Sequence, residues 1–322
     1  MISIRDHLFH LQTKQTSYVF SVEHDLLIHH YYGANIVFEN INHLTTKLRG
    51  GAGTAVEYEG KPQVYVDRLP LEYALFGTGD FREPALLLHN PSGGFYSNFK
   101  FDRYEINPKL LGPLPEARQA DDVLMIILKD ESRQLELHLV YKVFEKANII
   151  SRYARLINNS DQVVIVDRFF SGQLDLERNQ LEIMTFDGAW AKERHVHIHR
   201  LEGGIFINDS KCGASSNRHN PLTILKDPQT TEEAGEAFGF NLVYSGNHKT
   251  LVETMPNKQR RVLWGISDFG FNYHLQPQES FVSCEAVMSY SNQGLNQLSQ
   301  HFHDFVNQIG RASCRERVFS SV

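Results

Sequence analysis

Residues 135–145 read LELHLVYKVFE, which places Leu135, Leu137, Leu139, Tyr141 and Val143 at every second position, with Glu136, His138 and Lys142 between them. A period of two puts the apolar set on one face of an extended chain and the polar set on the other, as in a half-buried antiparallel strand. Comparable runs of Val, Ile, Tyr, Phe and Leu occur at 18–22, 26–32, 123–128, 149–156, 163–169, 238–244, 260–265 and 283–290. Turn-forming clusters separate them: 90–94 (NPSGG), 158–161 (NNSD), 245–247 (SGN) and 276–278 (QPQ). Many strands divided by turns, with no repeat period, predict an all-β antiparallel sandwich.

One stretch breaks the pattern. After 291–294 (SNQG), Leu295, Leu298, Phe302 and Phe305 recur at spacings of three and four. They form the apolar stripe of an amphipathic helix, with Ser291 or Asn292 as its expected N-cap. The run 309–318, back-translated with ordinary codons, reads like a common sequencing adapter, so 310–322 is set aside as a scar. The resulting division is a β domain over 1–290, the start of a linker helix over 291–309 and the tail over 310–322. The chain is thereby expected to be a truncated reading frame.

Composition narrows the function. Among 322 residues, 41% are hydrophobic and the net charge is −6, with no basic run outside the tail. A sizeable core is therefore expected, and neither nucleic acid nor an anionic membrane is expected as a partner. Cys212 and Cys284 stand alone, which fits a reducing compartment. With no secretory leader pattern and no run of about 20 apolar residues, the cytoplasm is the expected location.

Four constellations are candidates for chemistry. The run 49–54 (RGGAGT) lacks the following helix and the GK[ST] of a phosphate loop, so a surface loop is the better reading. His195, His197 and His199 would share one strand face; two could serve zinc or copper, but no set is completed nearby, and a solvent-facing ladder is preferred. The segment 69–87 (LPLEYALFGTGDFREPALL) mixes Glu72, Asp80, Arg82 and Glu83 with Tyr73, Phe76 and Phe81 around two glycines. That mixture suits a sugar site or a subunit contact, while an Asp80–Arg82 pair fixing a loop is the plainer alternative. Ser215 and Ser216 near His219 lack a nucleophile elbow and read as a polar loop, and Trp190 and Trp264 read as packing residues.

Taken in order, the stretches 18–33, 69–86, 187–194 (DGAWAKER), 213–221 (GASSNRHNP), 237–247 (AFGFNLVYSGN) and 289–296 (SYSNQGLN) resemble the N-terminal domain of family 36 glycoside hydrolases, the bacterial α-galactosidases. The resemblance implies a β-supersandwich, then a linker helix, then a (β/α)8 barrel carrying two catalytic aspartates of a retaining mechanism, then a small β domain. No counterpart of the barrel's N-N-W-E-A-like first strand is present, so no catalytic residue is expected in this chain and the chain alone is expected to be inactive. It further implies an α-galactoside substrate, a homo-oligomer, in relatives often a tetramer, and no cofactor or metal. In relatives an N-terminal loop reading like R-L-D-R-x-F-S reaches a neighbour's sugar. Here Arg49, in 47–53 (KLRGGAG), stands where that loop has its acid, so the acid's role is not carried over. Arg49, Asp80 and Arg82 remain as candidate substrate contacts. The alternative is a stand-alone carbohydrate-binding sandwich.

Overall fold

The computed structural model describes residues 1–37, 44, 55–56, 64–110, 112–113, 115–117, 119–178, 180–216, 218–256 and 258–319, of which 55, 56, 64 and 308–319 are described as backbone only. Arg49 and its glycine-rich run lie outside the described residues.

Among the described residues every registered strand pair is antiparallel, and the fold is all-β apart from one 3-10 turn and a C-terminal helix. The N-terminal strands Ile2–Arg5, Leu8–Gln12, Thr16–Glu23 and Leu26–Ala34 form a four-stranded meander. Two of its hairpins turn through paired positive-φ residues, Asp6–His7 and His24–Asp25. Such two-residue turns match the right-handed twist of the flanking strands. A large ten-stranded sheet runs from the edge strand Lys192–Arg200 to Lys100–Ile106, with Leu135–Phe144 between Asp122–Asp130 and Ile149–Asn158. A six-stranded sheet is built around Val164–Glu177, His248–Thr254 and Gln259–Ile266.

One continuous core joins the three sheets. Leu135, Leu137, Leu139, Tyr141 and Val143 enter it with Phe20, Phe170, Phe238 and Trp264. Trp264 packs against Gly172, where an added Cβ would come within 2.4 Å of the indole, so the indole fits there only because residue 172 has no side chain.

The strand Leu135–Phe144 is not half-exposed along its whole length. Val140 packs with Met125, Ile127 and Tyr153 on the opposite face, and Lys142 is buried. The Lys142 ammonium is held by Glu116 at 2.6 Å, the Ala117 carbonyl at 2.9 Å and Glu285 at 3.4 Å. The connection before Asp122 thus folds over a face that periodicity alone assigns to solvent.

The helix Gly294–Phe319 packs on this same face of the large sheet, away from the common core. Leu298, Phe302 and Phe305 bury against Phe144, Ile149, Ala237 and Val287, with Leu295 partly covered. Its first N–H groups are not capped by Ser291 or Asn292. The Leu295 and Asn296 amides donate to the carbonyls of Thr231 and Glu232, and Gly294 N–H donates to Gly235. A neighbouring turn therefore satisfies the orphan donors that a side-chain cap would otherwise take.

Candidate functional site

The segment from Leu69 to Leu87 wedges between two sheets. The Pro70 carbonyl accepts from His29 N–H and Glu72 N–H donates to Leu27, both on the four-stranded meander. On its other side, Leu71 N–H donates to Asp175 at 2.9 Å and Ala74 N–H to Gln173 at 2.7 Å, both on Val164–Glu177. Two buried charge networks fix the wedge.

In the first, Glu72 is fully buried. Its Oε1 accepts from Arg152 at 2.8 Å, Tyr18 at 2.5 Å and Tyr141 at 2.8 Å, and His29 Nδ1 lies 3.3 Å from Oε2. The Arg152 guanidinium also sits over the Tyr141 ring, 4.8 Å from its centre. Burial is the largest influence and pushes the Glu72 carboxyl up, but Arg152, His29 and Tyr18 together outweigh it and hold it below the ordinary carboxylate range.

In the second, Asp80, Arg82, Asp175 and Arg261 close into a quartet. Arg82 Nε donates to Asp80 at 2.8 Å and Nη1 to Asp175 at 3.2 Å. Arg261 reaches Asp80 through Nη1 at 2.8 Å and grips Asp175 through Nε and Nη2 at 2.8 and 2.7 Å. The remaining Arg82 donor goes to the carbonyls of Val66 and Leu69. Burial pushes the Asp175 carboxyl up, yet the two arginines and the Leu71 N–H bring it below its usual value. The side chains of Asp80 and Arg82 are each 1% exposed. Their hydrogen bonds run to Val66, Leu69, Asp175 and Arg261 within the domain, so the arrangement fixes a loop.

Aromatic rings are what this region presents outward. Phe81 is 74% exposed, and Phe76, Phe95 and Tyr96 are exposed as well. Phe95 stacks on His89 at 4.5 Å and meets Phe76 edge-on at 6.3 Å. His89 Nδ1 is 2.7 Å from Asp167.

The motif residues at 187–194 and 213–221 meet in space. His219 Nδ1 lies 3.0 Å from Asp187 Oδ1, and Gly188 N–H donates to the Arg218 carbonyl. His195, His197 and His199 lie opposite Asp187, Thr185 and Ile183 on the exposed edge strand Lys192–Arg200. Ser216 accepts from Arg218 N–H within a polar turn, and Ser215 N–H bonds the Ser245 carbonyl. Trp264 is buried, but Trp190 stands 92% exposed at the hairpin tip after Ala189. Trp190 is therefore not a packing residue within this chain: the turn that reverses the hairpin carries it away from both sheets.

A polar groove of about 880 Å³ is lined by Glu177, Arg178, Asp227, Thr230 and Lys258. Burial, and then Glu236, push the Asp227 carboxyl up, which is the direction a proton donor needs. Glu177 accepts from Gln259 at 2.7 Å. No aromatic side chain lines this groove among the described residues, so it offers a sugar no stacking surface. Among the described residues there is also no group of three or more His, Cys, Asp or Glu arranged to hold a metal ion. Sequence reasoning missed Asp175 and Arg261; an acidic residue and an arginine inside apolar strand runs were the available signal.

The family described as glycosyl hydrolase family 36 N-terminal domain matches residues 25–276. The chain is 35% identical to α-galactosidase Mel36A of Lactobacillus acidophilus, over 98% of this chain and 44% of that protein. It is also 35% identical to the bifunctional α-galactosidase/sucrose kinase AgaSK of Mediterraneibacter gnavus, over 96% of this chain and 34% of that protein. Among solved structures, the α-galactosidase of Lactobacillus brevis superposes with a TM-score of 0.89 at 34% identity, covering 94% of this chain and 42% of that one. The chain thus spans less than half the length of these curated relatives.

Proposed function

This chain belongs to glycosyl hydrolase family 36, and from that premise we propose that it is the non-catalytic N-terminal domain of an α-galactosidase. The observation that carries this reading is the family match in the N-terminal part of relatives named as α-galactosidases, joined to the way the wedge carboxylates are used. Glu72, Asp80 and Asp175 are each saturated by buried arginines and tyrosines and have no access to a substrate. A retaining glycosidase needs two accessible carboxyl groups flanking the scissile bond. In this reading they lie in a barrel beyond the helix. The whole enzyme hydrolyses terminal α-galactosides in the cytoplasm and works as a homo-oligomer, tetrameric in the form proposed.

Asp80 and Arg82 then act on substrate only indirectly. With Asp175 and Arg261 they hold the wedge that presents Phe76 and Phe81. Arg49 would contact sugar from outside the described residues. The test is hydrolysis of a nitrophenyl α-galactoside by purified residues 1–308 and by the same residues continued through a family 36 barrel. Activity only in the longer protein is expected; turnover by the short one sinks the proposal. The exposed Phe76, Phe81, Phe95 and Tyr96 are what favours the second reading, a free-standing carbohydrate-binding sandwich. Galactoside binding by residues 1–308 in calorimetry would select it.

A further inference from the structure

The C-terminal helix is tied to the N-terminal meander by a closed ring of hydrogen bonds that passes through one histidine. His301, on the helix, is buried. Its Nδ1 lies 3.0 Å from Ser289 Oγ on the strand Glu285–Ser291, and its Nε2 lies 3.3 Å from the side-chain amide of Asn148. Ser289 Oγ in turn lies 2.9 Å from the Asn148 carbonyl. Asn148 sits at the turn between the strands Leu135–Phe144 and Ile149–Asn158, with φ of +53°. Its Oδ1 accepts from Gln15 N–H at 2.8 Å and from Thr13 Oγ1 at 3.1 Å, in the turn of the meander before Thr16–Glu23.

These bonds determine where the imidazole proton sits. A backbone N–H can only donate, so the Gln15 bond fixes Oδ1 of Asn148 toward the meander and turns Nδ2 toward His301. Nδ2 is a donor, so Nε2 of His301 must accept. A carbonyl can only accept, so the Ser289 hydroxyl gives its proton to Asn148 and must take one from His301 Nδ1. Each donor and acceptor of the ring is used once, and the ring closes only for a neutral imidazole protonated at Nδ1. A proton added at Nε2 would face the amide protons of Asn148, and the ring would break at the contact joining helix to sandwich.

Tyrosines aside, the ionisable groups on the elements packed here are Lys14, Glu145 and Lys146 on the two turns, Glu285 on Glu285–Ser291, Arg152 and Arg155 on Ile149–Asn158, and on the helix itself Asp304 and the exposed His303. Lys14, Glu145, Lys146 and Asp304 are exposed. Glu285 is engaged by Lys142, Arg152 by Glu72 and Arg155 by Ser280. Among the described residues none forms an ion pair with His301. Its own environment supports the neutral form: burial, the larger influence, lowers the imidazole against a smaller opposing pull from Asp304.

We infer that His301, Ser289 and Asn148 form an acid-released latch: neutral His301 holds the helix Gly294–Phe319 to the sandwich, and its protonation frees the helix before the sheets open. The helix therefore has a pH-dependent attachment that is separate from its apolar stripe.

Hydrogen exchange of the full 322-residue chain, read at the amides of 295–307 and of the sheet strands and corrected for intrinsic rates, tests this. Between the ordinary imidazole value of about 6.5 and the lower folded value of His301, opening of the helix is expected to rise by up to about tenfold per pH unit and to stay lower in free energy than opening of the strands. The variant Asn148→Asp keeps an Oδ1 for Gln15 and gives Nε2 a carboxylate that welcomes the added proton; aspartate also tolerates the positive φ. It is expected to abolish the acid release. Nitrogen chemical shifts of the His301 ring, independent of any variant, are expected to place the neutral proton on Nδ1. The latch is overturned if helix and strands open with the same free energy at every pH, if Asn148→Asp releases its helix as the parent does, or if the proton sits on Nε2.

Discussion

Arg261 grips both oxygens of Asp175 at 2.8 and 2.7 Å, with neither side chain more than 3% exposed. Asp175 also receives the amide of Leu71, so one carboxylate on the six-stranded sheet orders the wedge that crosses it. Removing one partner leaves an uncompensated buried charge. Arg261→Met and Asp175→Leu should each destabilise the domain by about 3–5 kcal/mol, and the double variant should recover part of that loss. Urea unfolding of the four proteins of the cycle measures it; strict additivity would mean that the pair is not coupled.

Acid should weaken the domain in two successive ranges. His30 and His248 are buried and lowered to about 4, burial being the main cause for each. Their folded values lie below the unfolded value of about 6.5, so their contribution is complete above pH 6.5 and is lost as the pH falls toward 4. Glu72 and Asp175 are also lowered, so their contribution is present above the ordinary carboxylate range and is lost as the pH drops through their depressed folded values. Glu285 runs the other way, since burial leads and raises it. Urea midpoints from pH 8 to 3 should fall from about pH 6.5 downward, and His248→Gln should flatten the first part of the decline.

Gly239 lies directly beneath the helix. A Cβ there would stand 2.5 Å from the ring of Phe302 and 3.3 Å from Leu298. Gly239→Ala should therefore cost about 1–3 kcal/mol by overpacking and should lower the exchange protection of the helix more than that of Leu135–Phe144. Equal effects on both would place the strain elsewhere.

Cys212 and Cys284 should differ sharply in reactivity. Cys212 is exposed, and its thiol is lowered by the Ser210 hydroxyl and then by a backbone hydrogen bond with Ala214. Burial pushes the Cys284 thiol up to about 12. Under native conditions at pH 7.5, site-resolved mass spectrometry should find Cys212 alkylated and Cys284 untouched until denaturant is added. Prompt labelling of Cys284 would show that its strand opens locally.

Strands whose alternation faces a single core are legible from sequence. Val123–Leu128, Ile149–Leu156 and Arg260–Gly265 lie within strands only slightly longer, and the stripe of Leu298, Phe302 and Phe305 is the helix face that packs. The hairpin Ile2–Gln12 is hidden because Asp6 and His7 take the positive φ values that Asn-Gly would have advertised. Lys142 and Val140 are misread because their cover comes from a distant connection, which period-two reasoning cannot see. At the candidate site, the proximity of Asp80 to Arg82 is visible in the sequence, but their burial is not. Asp175 and Arg261 lie 95 and 181 positions from Asp80, and only the pairing of Val164–Glu177 with Gln259–Ile266 assembles the quartet.

The ten-stranded sheet ends in a strand with an unpaired side. Lys192–Arg200 is exposed along its full length and carries Val196 and Ile198 toward solvent, while Gly204–Asp209, the edge of the six-stranded sheet, exposes Ile205 and Ile207. Such borders are templates for joining a second molecule strand to strand. What guards this one is its cargo of Lys192, Arg194 and Arg200, because two antiparallel copies would bring like charges face to face. Colloidal behaviour therefore follows ionic strength: dilute salt keeps molecules apart, and concentrated salt screens Lys192, Arg194 and Arg200 and favours strand-to-strand association.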